Sequence, residues 1–234
     1  LTIAGDTRPD QRHPYNEGYY SNYFDGSGDY VTVPHSTALG VGASANFTVE
    51  CWIYPTVISS VQGIFGKHGG TSGAAAGYGM YLNSGVLVGQ IFNSGTASTM
   101  TATAGTATAH SWQHVAMVRS SGVLTMYLNG IPGTGVSTSS YNPDNSQNLL
   151  IGQFEALVYP WTGYISNFRL LNNVGLYSTS FNPNTGPLYN LNSTAVLTCQ
   201  SAALVDNGPN RFTLTKGGDT KVTTFNPYYL SCLL

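Results

Sequence analysis

The stretch WQHVAMVRSSGVLTMYLNG, from Trp112 to Gly130, indicates the fold more directly than any other part of the chain. It contains two strand-like runs, HVAMVR and VLTMYL, which are separated by Ser-Ser-Gly. Glycine accepts the positive φ of a tight turn, and Asn129-Gly130 is a second strong two-residue turn signal. The stretch therefore predicts an antiparallel β-hairpin that ends in a further turn.

Strand patterns of the same kind recur along the chain. In FTVECWIYP (Phe47–Pro55), one predicted face carries Phe, Val, Cys and Ile, and the other carries Thr, Glu, Trp and Tyr. YGMYL and VLVGQIF flank Asn-Ser-Gly and predict another hairpin. The remaining strand-like runs are DYVTVP, NLLIGQF, YISNFRLL, TAVLTC and NRFTLT. STMTATA is interpreted as a strand, with a flexible loop as the alternative, and STALGVG allows one short helical turn. The pattern predicts an all-β fold, a two-sheet antiparallel jelly-roll sandwich.

The composition limits the classes of partner. Charged residues make up 8% of the 234 residues and the net charge is −2, whereas roughly 25% charged residues is usual. The eight Lys and Arg residues form no basic cluster, which argues against nucleic-acid binding. The apolar runs are far shorter than the ~20 residues of a membrane span. Cys51 and Cys199 lie in strand-like runs, so we expect buried thiols, with a disulfide between them as the alternative.

The two ends of the chain carry the same phrase. GDTRPDQRHPY (Gly5–Tyr15) and GDTKVTTFNPY (Gly218–Tyr228) align without a gap at an offset of 213 residues. A true repeat predicts either one module of a tandem array or a subunit whose two ends occupy equivalent places in neighbouring copies, and a chance match is the alternative. The candidate assembly residues are Asp6, Thr7, Pro14, Tyr15, Asp219, Thr220, Pro227 and Tyr228. The predicted organisation is a flanking segment at 1–20, the sandwich at 21–216 and a second flanking segment at 217–234.

Four segments together carry a family resemblance. They are Tyr23–Pro34 (YFDGSGDYVTVP), Phe47–Pro55, Trp112–Gly130 and Leu150–Asn172. In this order they resemble the laminin G-like domains of the concanavalin A-like lectin/glucanase superfamily, especially the tandem modules of phage structural proteins and bacterial surface proteins. The resemblance covers roughly residues 22–215. It implies two stacked sheets with Phe24, Trp52, Trp112, Phe168 and Leu170 in the core.

The superfamily includes laminarinase-type glycosidases, so catalysis has to be considered. These enzymes carry two catalytic glutamates spaced Glu-x-Asp-x-Glu, because an acid and a nucleophile must flank one bond. The three glutamates of this chain, Glu17, Glu50 and Glu155, are far apart and none has an acidic neighbour two residues away. We therefore expect no enzymatic activity.

Two loops are candidates for glycan binding, because polar groups and aromatic platforms suit sugars. SSYNPDNSQN and EALVYPWTGY supply Tyr141, Asn142, Asp144, Asn145, Tyr159 and Trp161. The alternative is structural: Trp161 is then a core aromatic residue, and Tyr141 and Asp144 belong to a Pro-Asp turn.

Calcium is the one cofactor that the resemblance implies, since many laminin G-like domains bind Ca²⁺ at a loop rim. Asp25 and Asp29 in FDGSGD are the candidate ligands, and an Asp/Gly hairpin turn is the alternative.

The sequence as a whole predicts a non-enzymatic structural or adhesion module of a virion or another extracellular assembly, such as a phage fibre, tail or capsid decoration. The expected partners are copies of itself or neighbouring modules, and cell-surface polysaccharide. The alternatives are a lectin domain of a bacterial surface protein and a filament subunit joined through its terminal strands.

Overall fold

The structure is a computed structural model that describes residues 19–43, 45–69, 76–93, 99–155 and 158–228, except for the side chain of Glu155. Apart from one 3₁₀ turn at Thr37–Leu39, its regular elements are strands. They are β1 Ser21–Asp25, β2 Tyr30–Val33, β3 Phe47–Pro55, β4 Val61–His68, β5 Gly77–Asn83, β6 Val86–Phe92, β7 Thr99–Thr106, β8 Gln113–Ser120, β9 Val123–Leu128, β10 Ile131–Pro132, β11 Val136–Ser137, β12 Leu149–Ile151, β13 Gln153–Glu155, β14 Val158–Pro160, β15 Thr162–Asn172, β16 Thr194–Thr198, β17 Thr215–Gly217 and β18 Lys221–Thr223. Within these ranges no helix has the length and apolar character needed to cross a membrane.

The strands form two large antiparallel sheets. The first runs in the order β10-β9-β8-β3-β15-β1-β18, with β11 on β9 and β16 on β15. The second runs in the order β17-β2-β12-β4-β5-β6-β7, and β13-β14 is a separate hairpin. The prediction of an all-β, two-sheet antiparallel sandwich is confirmed.

Tight turns set the register of the predicted hairpins. β8 and β9 pair across Ser121 and Gly122, whose φ angles are 49° and 77°. Asn129 and Gly130, with φ of 51° and 76°, turn β9 into β10. Positive φ at both central positions is the type I′ geometry that matches strand twist. STMTATA forms most of β7, so the strand interpretation is confirmed and the loop alternative is wrong.

The core between the sheets follows the alternation of the strands. Phe24, Phe168 and Leu170 are fully buried in it, as expected. Trp52 and Trp112 were expected there too, and that prediction is wrong. Trp52 alternates with the core side chains of β3, so its indole faces away from the inter-sheet core. The indole of Trp112 also lies outside that core. Tyr228 packs against Trp52 and Phe225 against Trp112, so these two residues partly cover this outer face of the first sheet.

Two other sequence expectations concern Cys51, Cys199 and the run NRFTLT. The cysteines are buried free thiols, so the disulfide alternative is wrong. The strand predicted for NRFTLT is also wrong over most of its length, because β17 begins only at Thr215. The amide of Phe212 instead donates to the Asp206 side chain at 2.9 Å, which holds this part of the run in a loop.

The last described segment belongs to the sandwich. β17 pairs with β2 in the second sheet, and β18 pairs with β1 in the first sheet. The chain therefore crosses from one sheet to the other between β17 and β18, as it does between β1 and β2. We propose that the folded unit extends to Tyr228.

Candidate functional site

A polar cavity of about 350 Å³ lies at the end of the sandwich where β2 ends and β12 begins. The loop between β2 and β3 forms one wall, and the loop between β11 and β12 forms the other. We call it the rim cavity; it is lined by His35, Thr37, Gly40, Gly42, Asp144, Asn145 and Ser146. Its walls carry hydroxyl, carboxylate, amide and imidazole groups, which suit a hydroxylated ligand.

The two walls are joined by a buried arginine. The Arg119 side chain, which is fully buried, donates to the carbonyl oxygens of Gly42 at 3.2 Å and Ala43 in one wall. It also donates to the carbonyl oxygens of Thr138 at 2.8 Å and Tyr141 at 3.1 Å beside the other. One guanidinium thus cross-links both loops and compensates its own burial with charge-assisted hydrogen bonds.

A buried lysine holds the tip of the second wall. Lys67 Nζ donates to the backbone oxygen of Asn145 at 2.8 Å and to its Oδ1 at 3.0 Å. Asn145 Nδ2 returns hydrogen bonds to the carbonyl oxygens of Lys67 and Ala76. Burial lowers the pKa of Lys67 to about 8, although the negative charge of Asp144 opposes this shift. The side-chain amide of Asn145 is therefore committed to positioning the loop.

The structure separates the predicted glycan-binding residues. Asp144 and Asn145 line the rim cavity, and Asp144 Oδ1 accepts a hydrogen bond from the backbone N–H of Asn145 at 3.0 Å. Tyr141 packs partly against the core. The amide of Asn142 donates to Asn93 Oδ1 at 2.9 Å, which fixes the same loop from behind.

The other two predicted residues lie elsewhere. Trp161 is fully buried in the inter-sheet core, so its indole is a core side chain and cannot serve as a surface platform for a sugar. Tyr159 is 40% exposed on the β13–β14 hairpin, with a positive φ of 57°. Trp161 and Tyr159 are therefore close in the sequence but do not share a site.

The predicted calcium ligands meet a third carboxylate. One side-chain oxygen from each of Asp25, Asp29 and Asp219 lies within 4.8 Å of the others, and only Asp29 is buried. Asp29 Oδ2 accepts the amide of Asp25 at 2.9 Å, and Oδ1 accepts the amide of Asp219 at 2.7 Å. Asp29 thus fixes both crossings between the sheets.

The carboxylate cluster already has a cation of the protein beside it. Lys221 Nζ lies 2.9 Å from Asp219 Oδ2, and the hydrogen bond and charge of Asp219 raise the pKa of Lys221, with smaller contributions from Asp29 and Asp25. Ca²⁺ takes six to eight oxygen ligands. With Asp29 committed to amides and Lys221 against Asp219, we expect these residues to form a hydrogen-bonded turn rather than a calcium site.

The C-terminal copy of the repeated phrase is part of this turn and of the adjoining sheet face. Thr220 is buried and donates from Oγ1 to the carbonyl oxygen of Gly217 at 3.0 Å. Pro227 precedes Tyr228, whose ring lies 6.0 Å from Trp52 and 5.8 Å from Tyr19. The N-terminal candidates Asp6, Thr7, Pro14 and Tyr15 lie outside the described residues.

Comparison with known proteins is consistent with this geometry. The sequence profile of one family, described as the concanavalin A-like lectin/glucanases superfamily, matches residues 25–175, which is more than half of the chain. The chain belongs to that superfamily. No curated protein matches this superfamily member in sequence.

Solved structures share the fold of this superfamily member. A Bacteroides ovatus protein assigned to carbohydrate binding is 17% identical with a TM-score of 0.62, covering 89% of this chain and 60% of that one. The binding domain of botulinum neurotoxin serotype G is 10% identical with a TM-score of 0.52, covering 70% of this chain and 40% of that one. Domains LG4-5 of the mouse laminin α1 chain are 16% identical with a TM-score of 0.49, covering 70% and 44%. At these identities the likeness concerns the fold alone.

One buried ionic network of this superfamily member was not predicted from its sequence. Glu50 Oε1 accepts from Arg169 Nε at 3.0 Å, while Oε2 accepts from the Tyr177 hydroxyl at 2.7 Å and lies 3.1 Å from His114 Nε2. Burial raises the pKa of Glu50, but the hydrogen bond and charge of His114 and then Arg169 outweigh it and lower the pKa to about 2. Glu50 is thus a saturated structural carboxylate. Glu17 and the side chain of Glu155 are not among the described groups.

Proposed function

We propose that this chain is a non-enzymatic adhesion module of a virion or another extracellular structural protein, and that it binds surface glycans in the rim cavity. The observation that carries the proposal is the cavity itself, a polar recess whose two walls are cross-linked by buried Arg119 and whose second wall is held by buried Lys67. A pre-ordered recess lowers the entropic cost of binding a flexible sugar.

Asp144 is the residue that we expect to contact the sugar. Its Oδ1 accepts one amide, and among the described residues no donor binds Oδ2. A carboxylate oxygen at the mouth of a polar recess is a strong acceptor for a ligand hydroxyl. The fold relationship to a Bacteroides protein assigned to carbohydrate binding supports the same class of ligand.

The test is a screen of the full chain against an array of bacterial and animal glycans, followed by calorimetry on the best ligand. We expect Asp144→Ala to weaken binding by roughly tenfold, the loss of about one charge-assisted hydrogen bond. Asp219→Ala is the matched control, because it removes an exposed carboxylate outside the cavity. Failure of every glycan to bind, or equal affinities of the wild type and Asp144→Ala, would refute the rim site.

We also propose that the repeated ends form joints between successive units. The C-terminal copy contributes β18, the edge strand that pairs with β1 in its own unit. The second copy of the phrase, at residues 5–15, would then add to the open outer edge of β18 in a neighbouring unit by strand addition.

Light scattering of the full chain over a range of concentrations tests this proposal. We expect association that is lost on deletion of residues 1–15, because the joint needs both copies. A chain that stays at 24.8 kDa at every concentration contradicts the joint. That result would leave the glycan proposal standing, because the rim cavity uses neither copy.

A further inference from the structure

A second cavity, of about 320 Å³, lies on the part of the chain that follows the family match. We call it the edge cavity; its polar lining consists of Tyr189, Asn190, Gln200, Asn207 and Arg211. It shares no residue with the rim cavity, and nothing in the proposed function uses it. Its volume is at the lower end of the ~300–1,000 Å³ typical of small-ligand sites.

The edge cavity rests on a fixed frame. β16 pairs with β15, and the loop after β16 folds around the buried carboxylate of Asp206. Asp206 Oδ1 accepts the amides of Leu197 at 3.0 Å and Gly208 at 2.7 Å. With Oδ2 bound to the Phe212 amide, the carboxylate is committed to shaping this loop.

The lining presents hydrogen-bond acceptors. Gln200 is 4% exposed, and its Oε1 has no hydrogen-bond partner among the described residues. Asn190 Nδ2 donates to the carbonyl oxygen of Asn207 at 2.7 Å, and Asn207 Nδ2 donates to Ser201 Oγ at 2.6 Å. Among the described residues no donor binds Oδ1 of Asn190 or Asn207, so both oxygens remain to accept from a ligand. Because Gln200 Oε1 is closed to solvent, the Oδ1 atoms of Asn190 and Asn207 are the acceptors that the lining offers to a ligand.

An aromatic ring and a positive charge complete the lining. The Tyr189 side chain is 64% exposed, while its backbone oxygen is held by Arg169 at 2.7 Å. The ring is thus a solvent-facing platform on a fixed backbone, which suits the apolar face of a pyranose. Arg211 is exposed, and no carboxylate in the described part of the chain forms an ion pair with it.

We propose that the edge cavity binds an acidic sugar residue, a pyranose that bears a carboxylate. The carboxylate pairs with the Arg211 guanidinium, which presents two parallel donors to such a group. The sugar ring packs on Tyr189, and its hydroxyls donate to the amide oxygens of Asn190 and Asn207. Hexuronic acids and sialic acids share this chemistry.

The test is a calorimetric or NMR titration of the full chain with three probes: methyl glucuronide, N-acetylneuraminic acid and methyl glucoside. We expect one acidic sugar to bind at least roughly tenfold more tightly than the neutral glucoside, as one charge-assisted contact would provide. Whichever acidic probe binds identifies the source as a uronate or a sialate.

Three variants place the binding in the edge cavity. Arg211→Gln removes the charge and should abolish the preference for the acidic probe, whereas Arg211→Lys should keep part of it. Tyr189→Ala should weaken binding by roughly tenfold or more, in the range of an aromatic contact. All three change exposed side chains, and thermal unfolding confirms that each variant is folded.

Asp219→Ala, which removes an exposed carboxylate outside both cavities, is the control and should leave binding of the acidic probe unchanged. The inference is overturned if neither acidic sugar binds at millimolar concentration, or if Arg211→Gln binds as tightly as the wild type. Loss of binding in Asp144→Ala alone would move the acidic sugar to the rim cavity and also overturn it. Loss of affinity in Arg211→Gln and loss of affinity in Asp144→Ala therefore assign a bound sugar to different cavities.

Discussion

At the residue scale, Glu50 is a buried carboxylate that three side chains contact: Arg169, Tyr177 and His114. Replacing it by glutamine leaves the Arg169 guanidinium buried without its counter-charge. Removing one partner of a buried ion pair costs about 3–5 kcal/mol, so we expect Glu50→Gln to lower the free energy of unfolding in urea by that amount. Asp219→Asn is the matched control: its ion pair with Lys221 is 64% exposed on both sides, and we expect a far smaller change in the free energy of unfolding.

The same carboxylate predicts a dependence on acid. The pKa of Glu50 is about 2 in the folded chain, against an ordinary value of 4.5. A lowered carboxylate pKa stabilises the fold fully above the unfolded value, and this contribution is lost as the pH falls towards the folded value. The stability difference between wild type and Glu50→Gln should therefore shrink by about 1.4 kcal/mol per pH unit below 4.5. A difference that stays constant down to pH 3 would show that Glu50 is not the titrating group.

Lys67 predicts a dependence of stability on pH in the alkaline range. Its pKa is about 8 in the folded chain, against an ordinary 10.5, because burial disfavours the charged amine. Between these values the unfolded chain binds more protons, so stability rises with pH by up to ~1.4 kcal/mol per unit. We expect urea unfolding between pH 8 and 9.5 to show this rise in the wild type and not in Lys67→Met. Equal slopes in the two proteins would place the amine in solvent.

At the element scale, the β13–β14 hairpin depends on glycines of the strands beneath it. A Cβ at Gly66 would overlap the carbonyl oxygen of Phe154, whereas a Cβ at Gly186 would meet nothing within 4 Å. We expect Gly66→Ala to cost about 1–3 kcal/mol through overpacking and Gly186→Ala to be nearly neutral. Chemical denaturation of both variants compares the two sites. Equal stabilities would mean that the hairpin does not pack on β4.

The segment after β18 covers the aromatic face of the first sheet. Phe225 lies 4.9 Å from Tyr54, 4.8 Å from Tyr164 and 5.3 Å from Trp112, measured between ring centroids. Each aromatic pair contributes about 0.5–1.5 kcal/mol, so Phe225→Ala should lower stability by about 1–3 kcal/mol and shift tryptophan fluorescence to longer wavelength. Tyr189→Ala, at an exposed ring outside this face, is the control and should change neither. Unchanged fluorescence in Phe225→Ala would show that the segment is not docked.

The strands and turns that could be predicted from the sequence were those with local sequence signals. Alternating side chains located most of the strands, and Ser121-Gly122 and Asn129-Gly130 located turns, because both signals lie within a few residues. The Glu50–Arg169 pair joins residues 119 apart, and the rim cavity joins two loops, so neither has a local signature. Trp52 shows the same limit: its face of β3 was predicted, but the chain that partly covers that face comes from residues 225–228.

At the scale of the whole molecule, both ends of the sandwich are held by groups of the protein itself. The side chains of Arg119 and Lys67 bind backbone oxygens of the rim loops, as a bound metal ion would. At the opposite end, Asp29 binds two backbone amides, and Lys221 balances Asp219. Both groups of loops therefore have hydrogen-bond and ion-pair partners within the described part of the chain.

This arrangement predicts that calcium does not stabilise the fold. We expect the thermal midpoint to move by less than about 2 °C between excess EDTA and millimolar CaCl₂, because a ligand stabilises only in proportion to its binding to the native state. Arg119→Met removes the link between the rim loops, so it should lower the thermal midpoint in both buffers. This variant is the control that shows that the assay detects a loss of order in the rim loops. A calcium-dependent rise of several degrees in the wild type, absent from an Asp25→Asn variant, would instead assign a metal to the Asp25, Asp29 and Asp219 cluster, displacing Lys221 from Asp219.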